Sequence, residues 1–385
     1  HKKWKKEFGE KTNIGSDKQL SHMLFNVMGY KPKSYTEKSK GKEEKDKTPQ
    51  VNEATLQEID DPFIKMMIER NKILKDEGTF LKGIDEETVD GFLHAFFNLH
   101  TARSYRSSSD SPNFQNFPIR DPVRAKRIRS SFRSRGKKYR LVEMDFSGVE
   151  VCVAACYHQD PQMIEYINNP KLDMHRDMAA QCYMLKKKEV SKDSRYCGKN
   201  MFVFPQFYGD YYGTCAKSLW ESITKMKLKR VGVEDSLAAH LKSKGIRNLT
   251  QFTEHIKKVQ EDVWGRRFSV YAQWKDEFFA EYQRRGYVES YTGFRFNYVE
   301  GYGRNKAVNY PIQGAAFHCL LWTLIQVMRL IKKNKWKSRI VGQIHDSVVA
   351  DVHVDEFDEF LAARTELMSS TILKERKWLI VPLTV

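Results

Sequence analysis

Apolar residues recur every three to four positions over residues 1–30, where Leu20, Met23, Leu24 and Val27 form a stripe that predicts helix. The next stretch, 31–49, holds almost nothing apolar and predicts a mobile, solvated loop. Helical spacing returns at Phe63, Met66, Met67, Ile68 and Leu74. Residues 103–120, rich in Ser, Pro, Asn and Arg, predict an irregular segment held by side-chain contacts. Leu141–Asp145 reads as a buried strand, followed by a Gly-containing turn and an apolar helix beginning near Glu150. From about 158 to 290 the pattern is mostly helical and strongly charged, and residues 286–296 look like a short hairpin. A helix around Gln313 follows, then a strand ending at Ile344, a tight turn at His345-Asp346 and a second strand over Val348–Val352. There is no internal repeat.

Composition narrows the class. The 385 residues are enough for two or three domains, and 23 Phe, 18 Tyr and 7 Trp argue for packed cores over disorder. Lys and Arg number 66 against 49 Asp and Glu, a surplus of 17 positive charges that must sit on the surface and attract polyanions. Nucleic acid is the first partner this suggests. No uninterrupted apolar run approaches the roughly 20 residues of a spanning helix, which argues against a membrane partner. The six cysteines (152, 156, 182, 197, 215, 319) form no CxxC pair and no zinc-like grouping, and are expected to be reduced core residues of an intracellular protein. The sequence opens at His1 without Met, so its start reads as a fragment or a processing product.

Two constellations carry candidate chemistry. Asp145 ends one predicted strand, and Asp346 sits in the turn between two others. A carboxylate at the tip of a buried strand is costly unless paired or bound to metal. Two of them side by side could hold divalent ions about 3.5–4 Å apart, an arrangement suited to in-line phosphoryl transfer. The strand pattern alone fits an ordinary pair of turn aspartates equally well. In Arg195-Tyr-Cys-Gly-Lys199 two cations four residues apart share a helix face. With His175 and Arg120 they would match a triphosphate, although most charged helix faces are simply solvated.

Together these segments resemble the polymerase portion of the family A, bacterial polymerase I-like, DNA polymerases. Motif A is matched by Asp145-Phe-Ser-Gly-Val-Glu150, motif B by Arg195-x3-Lys199 running to Tyr208-Gly209, and motif C by Gln343-Ile-His345-Asp346. The stretches from Arg106 through Asn113 and Gln115 to Arg120, Asp173-Met-His175-Arg176, and Asn309-Tyr-Pro-Ile-Gln313-Gly314 follow in the family's order. The early stretch from Asn13 to Pro32 is similar to the family's thumb, so the resemblance spans almost the whole chain.

The resemblance implies an α+β, right-hand fold: a partial helical thumb over 1–99, a palm over 100–157 and 291–385 with a small antiparallel sheet, and helical fingers over 158–290. It implies template-directed addition of dNMPs to a primer 3′-hydroxyl, with primer–template DNA and dNTPs as partners. Asp145 and Asp346 would hold two Mg2+ ions, with Mn2+ as a possible substitute. Arg120, His175, Arg195 and Lys199 would grip the triphosphate, Lys199 also serving as proton donor to the leaving group. Glu150 would close over the ribose 2′ position, and Tyr208 would lie near the sugar and templating base. Arg106, Asn113, Gln115, Asn309, Gln313 and His345 would line the primer–template end, where minor-groove acceptors are shared among base pairs. The thumb resemblance begins within the first twenty residues, so an exonuclease and the thumb stem are expected on a separate chain or a missing N-terminal region. The expected location is inside a bacterium or a phage-infected host.

Three departures stand out. Ser347 follows Asp346 where many relatives have Glu. Tyr208 follows Lys199 by nine positions, one more than usual, and Pro205 interrupts the helix. A π-bulge would absorb the extra residue and put Phe204 one turn before Tyr208, in the base-stacking position, with Phe202 as the competing choice. Residues 218–250 exceed the usual fingers length; they read first as a solvated helical insertion and second as a basic contact to template or a partner protein. The competing functions are a single-subunit RNA polymerase, opposed by Glu150, and a catalytically idle nucleic-acid-binding protein on the same fold.

Overall fold

A computed structural model describes residues 2–385 apart from 33, 37, 38, 40–42, 44–46, 58, 120, 224, 225, 231, 232 and 298–300. The chain divides into two units. The first comprises His1–His94 and Phe117–Ser131, and the second Ala95–Asn116 and Phe132–Val385.

In the first unit, helices Lys2–Phe8, Asp17–Ser21 and Pro62–Lys75 and the π-helical turn His22–Val27 bury Trp4, Leu20, Met23, Leu24 and Ile64 in one cluster, Pro62–Lys75 being the third helix. The third of these starts where the Asp61 carboxylate accepts the N–H groups of Phe63 and Ile64, with Pro62 in the first turn. The predicted stripes need correction at their edges. Val27 is exposed, and so are Met66 and Leu74. At about 100° per residue Ile64 and Met67 share the inward face, whereas Met66 lies on the other side. Asp76, almost fully buried, is neutralised by Arg124 (Nε at 2.8 Å) and Arg127 (3.4 Å). The loop expectation for 31–49 falls partly outside the described residues. At its ends, Thr36 N–H bonds Thr48 O and Gln50 N–H bonds Ser34 O, both at 2.9 Å.

The second unit is built on an antiparallel sheet of three strands, β1 (Tyr139–Asp145), β2 (Arg339–Ile344) and β3 (Ser347–His353), in the order β2-β3-β1. Val348, Ala350 and Val352 of the central strand point into the main core, so Ser347, Asp351 and His353 face the other way. β1 is an edge strand. Of its residues only Met144 is buried, and Leu141 is 41% exposed, so the predicted buried strand is corrected to a half-solvated one. Against the sheet lie α1 (Val149–His158) and the 31-residue α2 (Arg304–Asn334), which carries Pro311 inside it. Contrary to the reading of its apolar runs, α2 is long and apolar enough to cross a membrane by length and composition. Its Ala307, Val308, Phe317, Leu320 and Val327 are nevertheless buried in the protein's own core.

The segment between these helices is mostly helical, as its periodicity predicts, but it contains an antiparallel pair, Lys227–Arg230 with Val233–Ser236. Its strand signal was hidden by the charged residues Lys227, Lys229, Arg230, Glu234 and Asp235. Nor is 218–250 a merely solvated insertion: Leu219, Ile223, Met226, Leu228, Leu237 and Leu241 are buried in the main core. The short hairpin pairs Tyr287–Glu289 with Arg295–Asn297. All six cysteines are free and buried.

Candidate active site

The register of the sheet brings the two aspartates together. Ser347 pairs directly with Asp145, Asp346 immediately precedes Ser347, and Phe146 N–H approaches Asp346 O at 3.5 Å. The intervening turn puts His345 at φ +48°, a left-handed conformation uncommon for a residue with a side chain. Burial, the charge of Asp346 and the charge of Glu143 raise the pKa of Asp145, in that order. Asp145 has no ion pair among the described residues. Asp346 has one, to Arg106 Nη2 at 3.4 Å.

Arg106 bridges two acids, since its Nη1 also lies 3.1 Å from Glu150 Oε1. Glu150 is the second residue of α1, entered through Gly148 at φ +65°. Its other oxygen accepts the Tyr208 hydroxyl. Burial raises the Glu150 pKa against the opposing pull of Tyr208 and Arg106. Burial and the Glu150 charge push the Tyr208 phenol up. Behind this cluster, Gln115 Nε2 donates to Gln343 Oε1 at 2.6 Å and to Ser107 Oγ at 2.9 Å. Gln343 donates to the His345 carbonyl, which fixes the turn.

The motif B residues lie on a helix that changes pitch. The α-helix α3 (Lys192–Gly198) passes into a π-helical turn, Lys199–Val203, before returning to α-helix over Phe204–Phe207. The π turn takes up the extra residue, and Pro205 falls in the first turn of the resumed helix, where its missing N–H costs little. Phe202 points into the core at 0% exposure. Phe204 instead lies beside His175 (ring centroids 5.6 Å apart), with Lys199 Nζ 5.1 Å from its ring centre. Arg195 Nε donates to Asp173 Oδ2 at 2.7 Å, and Asp173 also caps the helix that carries His175. Burial, then Lys199 and Arg195, lower the His175 pKa to about 4, so the imidazole is neutral at pH 7. Its Nδ1 is buried without a partner. Gly209, at φ +93°, ends this segment, and its carbonyl accepts from Asn305 Nδ2 at 3.2 Å.

Asn309 and Gln313 are half-buried one turn apart on α2, and Asn113 is exposed. No hydrogen bond ties these three to the acidic cluster among the described residues. Arg120 lies outside the described residues. Sequence reasoning gave no role to Ser107, Gln343, Asp173 or Asn305. Gln343 could have been found as the same-face neighbour of His345, and Asp173 as the acceptor three residues before Arg176; Ser107 and Asn305 left no such signal.

Among the described residues no three His, Cys, Asp or Glu side chains are placed to hold a metal by themselves. Asp145 and Asp346 nevertheless fit a hard divalent cation. They offer only oxygen donors, and Asp145 is a carboxylate beside another carboxylate with no ion pair among the described residues.

Comparison with known proteins gives one consistent family. The sequence profile of DNA polymerase family A matches residues 1–385. The chain is 28% identical to the DNA polymerase of Bacillus phage SP01 over 377 residues, covering 92% of the chain and 37% of that protein. It is 25% identical to DNA polymerase I of Pseudomonas aeruginosa, covering 94% of the chain and 36% of the relative. It thus spans a little over a third of the length of these relatives. Its fold is similar to that of the polymerase domain of Pol1 from M. smegmatis, solved in complex with DNA primer–template and dNTP. That match has a TM-score of 0.77 at 24% identity and covers all of this chain and 61% of the other.

Proposed function

The chain belongs to DNA polymerase family A, and we propose that it adds dNMPs to a primer 3′-hydroxyl under the direction of a DNA template, releasing pyrophosphate. The observation that carries this reading is the juxtaposition of Asp145, at the end of β1, with Asp346, in the turn just before β3, with Arg106 tying Asp346 to Glu150.

Family A DNA polymerases are metal-dependent. Asp145 and Asp346 are the residues that would hold two Mg2+ ions, with Mn2+ as a substitute, and the ions would supply Lewis-acid stabilisation of the charge that develops at phosphorus. The rest belongs to the chain's own groups. Arg195 and Lys199 share a helix face and offer charge-assisted donors to a triphosphate. Arg120 is assigned to the same grip. Asp173 fixes the Arg195 guanidinium. Neutral His175 can add a hydrogen bond to the same grip without a charge. Lys199 is the proton donor to pyrophosphate. Phe204, half-buried beside Lys199, offers a stacking face that fully buried Phe202 cannot. Glu150, held by Tyr208 and Arg106, fills the space a ribonucleotide 2′-hydroxyl would need. Gln115, Asn113, Arg106, Asn309, Gln313 and His345 face the primer–template end.

In this reading the palm comprises 100–157 and 291–385, the fingers 158–290 and the partial thumb 1–99. The bacterial and phage origins of the relatives support action inside a bacterium or phage-infected host. Primer extension with Mg2+ is the test. Asp346→Ala should abolish extension, and undiminished synthesis by that variant would overturn the mechanism. Equal use of rNTPs and dNTPs would favour an RNA polymerase, and no extension by the wild-type chain an idle binding protein.

A further inference from the structure

A third acid sits on the strand that carries Asp145. Ser347 lies directly across from Asp145, and Val349 from Glu143. Side chains two apart on a strand point to one face. Glu143, Asp145 and Ser347 therefore share the face opposite the one from which Met144 and Val348 enter the core. The buried Ser347 hydroxyl lies 2.8 Å from Glu143 Oε1 and 3.0 Å from the Ile344 carbonyl. Its single proton, given to Glu143, ties that carboxylate to the start of β3, next to Asp346. Glu143, like Asp145, has no ion pair among the described residues, in a chain with a surplus of 17 positive charges.

We propose that Glu143 is a positioning residue of the divalent-cation site, an inference that rests on the metal-site reading of Asp145 and Asp346. It does not complete a three-acid ligand set, because no such set exists among the described residues. It contributes a third negative charge and a hydrogen-bond acceptor just outside the ligand pair. Position 347 is a neutral Ser, so this acid reaches the site from the neighbouring strand, and the Ser347 hydroxyl is what aims it. Removing the charge weakens cation binding; removing the hydroxyl weakens it less, by letting the charge swing away. Outer groups of this kind typically alter metal affinity by about tenfold or more.

The test titrates Mn2+ into the full chain bound to primer–template and follows the free-ion electron paramagnetic resonance signal, with DNA affinity measured separately in EDTA. Glu143→Gln should raise the Mn2+ Kd by about tenfold and leave DNA affinity in EDTA unchanged within about twofold. Glu143→Asp, which keeps the charge, should bind Mn2+ nearly as wild type does. Ser347→Glu in the Glu143→Gln background should restore most of the affinity. A Kd for Glu143→Gln within about twofold of wild type would overturn the role, as would an equal loss in the control Glu289→Gln, where a remote surface charge is removed. Asp346→Ala separates the two readings. If it removes Mn2+ binding while Glu143→Gln changes nothing, only the role of Glu143 fails. If neither variant changes binding, the metal-site reading itself fails.

Discussion

The Tyr208 hydroxyl donates to Oε2 of Glu150, the carboxylate whose other oxygen meets Arg106. In the proposed function the phenol therefore sets where the acid would stand over the sugar. Tyr208→Phe removes one of two anchors and should lower the preference for dNTP over rNTP by about tenfold, the effect of one charge-assisted hydrogen bond. Glu150→Ala should lower it further. Ratios of kcat/KM for single-nucleotide addition measure both, and an unchanged ratio for Tyr208→Phe would mean that Arg106 alone is enough to hold the acid.

The two phenylalanines of motif B should separate cleanly. Phe204→Ala leaves the core intact and should weaken dNTP binding by about 1–3 kcal/mol, the usual worth of base stacking on an aromatic ring. Phe202 is fully buried, and Phe202→Ala should cost about 3–5 kcal/mol of stability in urea unfolding. The reverse pattern, with nucleotide affinity lost only in Phe202→Ala, would show that the register of motif B is misassigned.

His158 gives the fold an acid-side weakness. Burial, then the charge of Lys275, lowers its pKa to about 3, its Nδ1 accepts the Asp160 N–H at 2.9 Å and its Nε2 has no partner. The unfolded chain binds this proton near pH 6.5 and the folded chain only near 3, so stability is full above 6.5 and falls as pH drops toward 3. His158→Asn keeps an acceptor for Asp160 and does not titrate. It should remove about 1–2 kcal/mol of the stability loss between pH 6.5 and 5, read from urea unfolding at both pH values. A wild-type slope retained in the variant would assign the loss to other groups, His175 first among them.

Gly198 is the closest approach between α3 and the helix Met174–Cys182. A Cβ there would lie 2.8 Å from Ala179 Cβ and 3.0 Å from that residue's backbone. Gly198→Ala must push apart the helices that carry Arg195 and His175, and should cost about 1–3 kcal/mol of stability. It should also raise the KM for dNTP. Normal stability with a normal KM would mean that the two helices slide apart freely.

The strands around both aspartates, the hairpin at 286–296 and the helix at Gln313 were legible because each has an apolar period bounded by a turn residue. The π turn was legible too, through one surplus residue and Pro205. Burial was harder to foresee. β1 reads as buried because Leu141, Val142 and Met144 are apolar, but its place at the sheet edge is set by pairing with β3, two hundred residues away in sequence. The strand pair at 227–236 was masked by its charges. The links from Ser107 to Gln343 and from Asn305 to Gly209 are long-range hydrogen bonds between common polar residues, which leave no periodic trace.

The burial of all six cysteines has a practical corollary. Burial first of all holds Cys152, Cys215 and Cys319 at pKa values of about 12, and the thiolate is the form that alkylates. The natural chain should therefore be nearly inert to maleimides in its folded state. A single cysteine placed at an exposed position such as Leu249 would then take a fluorophore alone, turning the chain into an optical reporter of its own movements with no native thiol removed.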